Sequence, residues 1–178
     1  AERPRERELA FRYTQKTLEF AVRVKAPLVV LHLGSIDMKD YTSKLAQMAE
    51  RGEKDLPKYR KLCLEADQKR EAKKEKFVER SCETLRRILP EAESRGLKLG
   101  IETRESLEEL PLDSDWQFFF KDFSSHAIGY WHDTGHAQIK ANLGFMDHAL
   151  HLESLSDRLF GFHIHDVQFP GRDHCAPG

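Results

Sequence analysis

The chain holds nine histidines and thirty acidic residues, and a few of them stand where an apolar run stops. Residues 127–131 run into His132, Asp133, Thr134, Gly135 and His136. Three other stretches end alike, at His32, at Glu102, and at His163, Ile164, His165 and Asp166. A buried strand that delivers polar groups at its C-terminal tip looks like this. One Glu, one Asp and one or two His from separate strand tips make a nitrogen and oxygen site for a divalent ion. Such donors suit Mn, Mg, Co or Zn without choosing among them. The expected ligands are therefore Glu102, Asp133, His163 and His165. Alternate residues on a strand point the same way, so His163 and His165 share a face. By the same alternation His132 points away from Asp133, into the helix layer, and reads as structural.

Other polar groups cluster around these tips. His136, three residues after Asp133, reads as a substrate donor, a supporting group or a ligand of another metal. His32 reads as a ligand or a hydrogen-bond donor to substrate. Asp166 and the loop pair Asp173 and His174 complete the expected substrate-binding set. Each residue alone also fits a capping or ion-pairing role at a loop start, but four strands closing in this way favour a shared site. His126, His148 and His151 fall in helices or loops and receive no role. Cys175 beside His174 lacks any oxyanion or triad signature, which argues against a nucleophile.

The elements that must position these groups alternate in type. Apolar spacing predicts an amphipathic helix over 5–25, then a strand over 28–32. One or two helices are expected over 42–75. A helical stripe through Phe77, Val78, Cys82, Leu85, Ile88 and Leu89 should end near Gly96. A strand over 97–102 follows, then a short helix over 107–110 and another over 113–122 with Asp113 as N-cap. Trp116, Phe118, Phe119 and Phe120 read as core of that helix. The strand over 127–133 should lead to a helix after Gly135, and a further helical segment to a strand over 159–165. Near-continuous apolar strands alternating with helices indicate parallel β/α construction. A doubly wound sheet would favour a Gly-rich phosphate loop, and none is present. Acids and histidines converging from several strand tips fit a (β/α)8 TIM barrel better. Four β/α units are visible against the roughly 250 residues of a whole barrel, so residues 1–178 read as one domain, cut at both ends.

Composition narrows the partners. With a formal charge of −1 over 178 residues, electrostatics give no reason to expect nucleic acid. The charged run 69–76 alternates in sign, as a solvated helix face does. No apolar run approaches the roughly 20 residues needed to span a bilayer. The three cysteines form no C-x-x-C pair and read as reduced thiols in a cytoplasmic protein.

Together these residues resemble the xylose isomerase-like barrels, which include sugar and sugar-phosphate isomerases and epimerases and endonuclease IV. The likeness rests on residues 30–34, 100–102, 133–137 and 163–166, and on Asp173-His174 running into Pro177-Gly178, over about residues 10–178. It implies that Glu102, Asp133 and one histidine of the His163/His165 pair, preferably His163, hold a divalent metal. A fourth ligand, a Glu on the last barrel strand, is expected beyond this sequence, and three strands before it. The implied activity is isomerisation or epimerisation of a sugar or sugar phosphate, by proton transfer through a metal-stabilised enediolate with Glu102 as base. His32 and His136 would orient substrate hydroxyls. The first alternative is an endonuclease IV-like zinc phosphodiesterase acting on abasic DNA, using His32, Glu102, Asp133, His136, His163, Asp173 and His174. Against it, Asp173 and His174 are adjacent where the nuclease spaces its pair by one residue. The second alternative is a non-catalytic barrel that binds metal or sugar. A homo-oligomer stays open.

Overall fold

A computed structural model describes residues 3–178. Helix α1 (Pro4–Arg23) leads to β1 (Leu28–Leu31), α2 (Thr42–Glu50) and the long α3 (Pro57–Ser94). Then come β2 (Lys98–Glu102), α4 (Trp116–Asp122), β3 (Ile128–Asp133), α5 (Thr134–Leu143), α6 (His148–Ser154) and β4 (Leu159–His163). A short hairpin, β5 (Asp166–Gln168) with β6 (Arg172–Cys175), closes the chain.

The first four strands form one parallel sheet in the order β1-β2-β3-β4. Val29, Leu99, Ile101, Ile128 and Tyr130 point from it into a core built with Leu18, Leu85, Ile88 and Trp116 of the helices. Alternation then sends Gly100, Glu102, Trp131, Asp133 and His163 to the other face. Helices on one face only are the wall of a β/α barrel, whereas a doubly wound sheet has helices on both faces. The chain is thus about half of such a barrel. On its inner face the Trp131 indole lies across the neighbouring strands. A Cβ at Gly100 would come within 3.3 Å of it, and one at Gly161 closer still. The two glycines leave the space this ring fills.

Several sequence expectations change at the element ends. The helix over 42–75 and the stripe beyond it resolve into α2 and a single 38-residue α3 that passes through Pro90. No helix forms over 107–110. Its backbone pairs with the loop after β1 instead: Leu110 N–H donates to Gly34 at 2.9 Å and Ile36 N–H to Glu108 at 2.7 Å. Asp113 is not an N-cap. It opens a 3-10 turn, Asp113–Asp115, and Asp115 accepts from Leu112 N–H at 2.8 Å while binding the buried Arg70. Within α4, Trp116 and Phe119 enter the core but Phe118 stays half exposed. Helix α5 starts at Thr134, ahead of Gly135, because the Asp133 carboxylate caps it by accepting from His136 N–H at 2.9 Å. Strand β4 stops at His163, two residues short of the expected end, and the β5–β6 hairpin was not anticipated.

Candidate active site

Three strand tips converge. Glu102 at the end of β2 is 2% exposed, and both its carboxylate oxygens are engaged. Oε1 lies 2.6 Å from His163 Nδ1, and Oε2 takes His32 Nε2 at 2.8 Å and Arg104 Nη1 at 2.5 Å. Burial pushes the Glu102 carboxyl up, but the bonds from His32 and Arg104 outweigh it and bring it down to about 2. The group is ionised throughout the physiological range. Asp133 at the end of β3 is equally buried. Its Oδ1 serves the α5 cap and lies 3.0 Å from His165 Nε2, while Oδ2 is 3.6 Å from His163 Nδ1. His163 ends β4 with its ring edge-on to Trp131 at 5.3 Å.

These contacts divide the expected ligands into neighbouring groups. Glu102, Asp133 and His163 bring donor atoms within 4.8 Å of one another, and so do Asp133, His136 and His165. Two further groups are His165 with Asp173 and His174, and Glu105 with His136 and Asp173. The set Glu102, Asp133, His163 and His165 is therefore not one cluster among the described residues, and Asp133 is the hinge between two. The reason is local. After His163 the chain leaves the sheet, Ile164 turns outward, and His165 enters a hollow above α5. There a Cβ on Gly135 would strike the His165 ring. Thr134 Oγ1 holds the His165 backbone at 2.8 and 3.0 Å, and His174 stacks on the ring at 4.2 Å.

Hydrogen-bond direction then fixes where the ring protons of the cluster lie. His174 N–H donates to His165 Nδ1 at 3.0 Å, so in the neutral ring the His165 proton sits on Nε2, facing Asp133. That nitrogen has no lone pair to offer. His163 likewise turns Nδ1 to a carboxylate, Glu102 Oε1 at 2.6 Å, and differs from His165 in standing between Glu102 and Asp133. His136 shows the opposite arrangement to His165. A carbonyl can only accept, so His136 Nδ1 donates to Thr103 O at 2.8 Å, leaving the Nε2 lone pair 3.7 Å from Asp173 Oδ2. His32 and Asp173 thus lie in the cluster. Asp166 does not: it accepts from its own neighbour Val167 N–H at 2.7 Å and stays exposed. His174 reaches the cluster through His165 and Asp173, the latter at 2.8 Å.

Arg104 and Glu105 belong to the candidate site by contact, and strand-tip reasoning passed over them. Both follow Glu102 directly, and a run of Glu, Thr, Arg and Glu after an apolar strand was the available signal. Arg104 ties Glu102 to Glu109. Glu105 sits against His136 and Asp173, its carboxyl raised by burial more than His136 lowers it. Two carboxylates and an imidazole within reach of one point form a donor set that fits a divalent ion.

The matching family model is described as a xylose isomerase-like TIM barrel and covers residues 1–178. In fold, the chain is similar to a solved D-tagatose 3-epimerase-like protein, with a TM-score of 0.63 and 20% sequence identity. That match covers 94% of this chain and 52% of the other, so the chain spans about half the length of that protein. Among curated proteins, none matches the chain significantly.

Proposed function

The chain belongs to the xylose isomerase-like TIM-barrel family, and from that premise we propose that it is the metal-binding part of a sugar or sugar-phosphate isomerase or epimerase. The observation that supports this best is the convergence of Glu102, Asp133 and His163 from three adjacent strands of the inner face. These three residues would hold the divalent ion (Mn, Mg, Co or Zn). When bound, it would supply positive charge for the substrate oxygens that become negative as an enediolate develops. A D-tagatose 3-epimerase-like neighbour of matching fold agrees with a small sugar as substrate.

The chain's own residues would do the rest. Glu102 accepts the proton from the carbon next to the carbonyl. It is ionised, and its acceptor strength rises when a substrate hydroxyl draws His32 or Arg104 away from Oε2. His32, more than half exposed, can turn its Nε2 to such a hydroxyl. His136 offers its Nε2 lone pair to another hydroxyl, and Asp173 on the hairpin can accept from a second one. Trp131 lines the inner face beside His163 and keeps water from that side. The three cysteines are free thiols, in keeping with a reducing, cytoplasmic setting. No helix among the described residues is long and apolar enough to cross a membrane.

A second reading is favoured by one observation. The donor groups continue beyond Asp133 through His136, His165, Asp173 and His174, enough for further zinc ions and a phosphodiesterase acting on abasic DNA. One experiment separates the two. The full-length, Mn- or Zn-replete protein is incubated in deuterated water with ketoses and their phosphates, and in parallel with abasic-site DNA. Deuterium appearing at the carbon next to the carbonyl is expected. Strand cleavage without exchange would replace the first reading with the second.

A further inference from the structure

Behind β3 a single file of hydrogen bonds leaves the site and returns to it. Its direction is fixed from one end. Pro170 O, in the β5–β6 turn, can only accept, so the Asn142 side-chain nitrogen donates to it at 3.0 Å. Asn142 Oδ1 is then the acceptor for Gln138 Nε2 at 2.9 Å, which turns Gln138 Oε1 toward His148. His148 Nδ1 must donate to that oxygen, 3.1 Å away. The Nε2 atoms of His148 and His132 meet at 2.9 Å, with room for one proton between them. His148 has already used its proton on Nδ1, so His132 supplies this one from Nε2. His132 Nδ1 is therefore an acceptor, and the Tyr130 hydroxyl donates to it at 2.5 Å. Thr103 Oγ1 in turn donates to Tyr130 at 2.5 Å.

Six bonds thus run one way, from Thr103 to Pro170, and every donor and acceptor is used once. Thr103, Tyr130 and His132 are each 0% exposed. Both ends of the file return to the same pair of residues. The Thr103 carbonyl takes the His136 Nδ1 proton. The Pro170 turn carries β6 and Asp173, whose Oδ2 faces His136 Nε2.

We propose that Tyr130, His132 and His148 are positioning residues: their one-way chain pins Thr103 at one end and the β5–β6 hairpin at the other, and so holds His136 with its proton on Nδ1 and its Nε2 lone pair aimed at Asp173. None of the three touches the inner face. They act on it through Thr103 and Pro170. Without the anchor at its hydroxyl, Thr103 is held only by its backbone N–H to Trp131 O at 3.0 Å, its carbonyl can tilt, and His136 loses the fixed acceptor that selects its tautomer. The group that meets the His136 lone pair rests on the proposed function; the proton positions do not.

Long-range proton–nitrogen correlation spectra of the full-length, metal-free protein at neutral pH test this directly. Wild type should show His132 protonated on Nε2 alone, and His148 and His136 on Nδ1 alone. The opposite tautomer at any of the three rings overturns the proposal, without need of a variant. In Tyr130→Phe, which keeps the ring but removes the hydroxyl, His136 should become a mixture of tautomers. In His132→Asn the side-chain oxygen can replace Nδ1 as acceptor for Tyr130 but cannot reach His148. There His136 should keep its tautomer, while amide exchange in β6 speeds up about tenfold. An unchanged His136 in Tyr130→Phe, or unchanged β6 exchange in His132→Asn, would reduce the file to core packing and overturn the proposal. Mn2+ titration of wild type separately tests the metal site, so that reading can fail while the tautomers stand.

Discussion

Histidines gather on both faces of strand β3, and the two faces treat them in opposite ways. On the inner face His163 and His165 lie within 3.6 Å of carboxylate oxygens of Glu102 or Asp133. On the helix face His132, His148 and His151 lie near buried Lys140 rather than among strand-tip carboxylates. Burial first, with His148 next, holds the His132 imidazole down at about 4. Burial and then Lys140 hold His151 at about 3 and lower His148 as well. The same residue type is therefore set beside buried carboxylates on one side, and on the other is kept neutral as part of a hydrogen-bonded scaffold. What separates them is the strand-tip carboxylates, which the two-residue period of the strand places on the inner face, whereas on the helix face burial outweighs even the Asp113 carboxylate 3.2 Å from His151.

The largest expected effect breaks the inner face alone. Asp133→Ala should reduce Mn2+ affinity well beyond the ~100-fold that loss of an outer partner reaches. It should also remove the α5 cap, worth ~1 kcal/mol of stability. Asp133→Asn keeps an acceptor for the cap, so metal binding should fall while the unfolding midpoint barely moves. Retained affinity in both variants would sink the site assignment.

Acid should next expose both faces in separate windows. The helix-face histidines are neutral in the fold but protonate near pH ~6.5 in the unfolded chain. The unfolded state then binds more protons, so stability falls as pH drops from there, at up to ~1.4 kcal/mol per unit for each histidine. For His132 this loss levels off near its folded value of about 4. Glu102 behaves in the same sense in a lower window. Its stabilisation is full above the ordinary carboxylate range and is lost progressively as pH falls from that range through about 2. Denaturant unfolding across pH reads the two windows, and a flat profile between neutrality and the carboxylate range would contradict the helix-face account.

Smaller effects sharpen the contrast. Tyr130→Phe strands a Thr103 hydroxyl and a His132 nitrogen, and should destabilise by ~2 kcal/mol in denaturant titration with Mn2+ affinity nearly unchanged. Gly135→Ala should evict the His165 ring from the hollow it fills. If His163 is the ligand, metal affinity then drops by no more than ~10-fold; if His165 is, binding disappears. Isothermal titration distinguishes these outcomes.

Much of the fold was legible because it follows from local periodicity. The β1, β2 and β3 runs read as buried parallel strands, and α1 as an amphipathic helix, because side-chain alternation is a property of the chain itself. Element ends were less legible. Asp113 looked like a cap, but Asp115 takes that work because Arg70, from a distant turn of α3, binds it. Residues 107–110 look helical in isolation and lose that form to pairing with Gly34 and Ile36. At the site, Glu102, Asp133 and His163 were visible as strand tips. Arg104 and Glu105 were not, because a tip rule stops at the first polar residue.

The sequence by itself determined which residue types end each strand and which of them share a face, since both depend on spacing along one backbone. It also determined that His132 points away from Asp133. Only the tertiary structure decided how the His163 and His165 pair divides. That depended on where β4 leaves the sheet, on the hollow above Gly135, and on a backbone N–H from His174 that fixes one proton. Proton positions at His136 and along the file behind β3 were decided in the same way. Each depends on an acceptor from another element, and spacing along the chain carries no record of which carbonyl will be near.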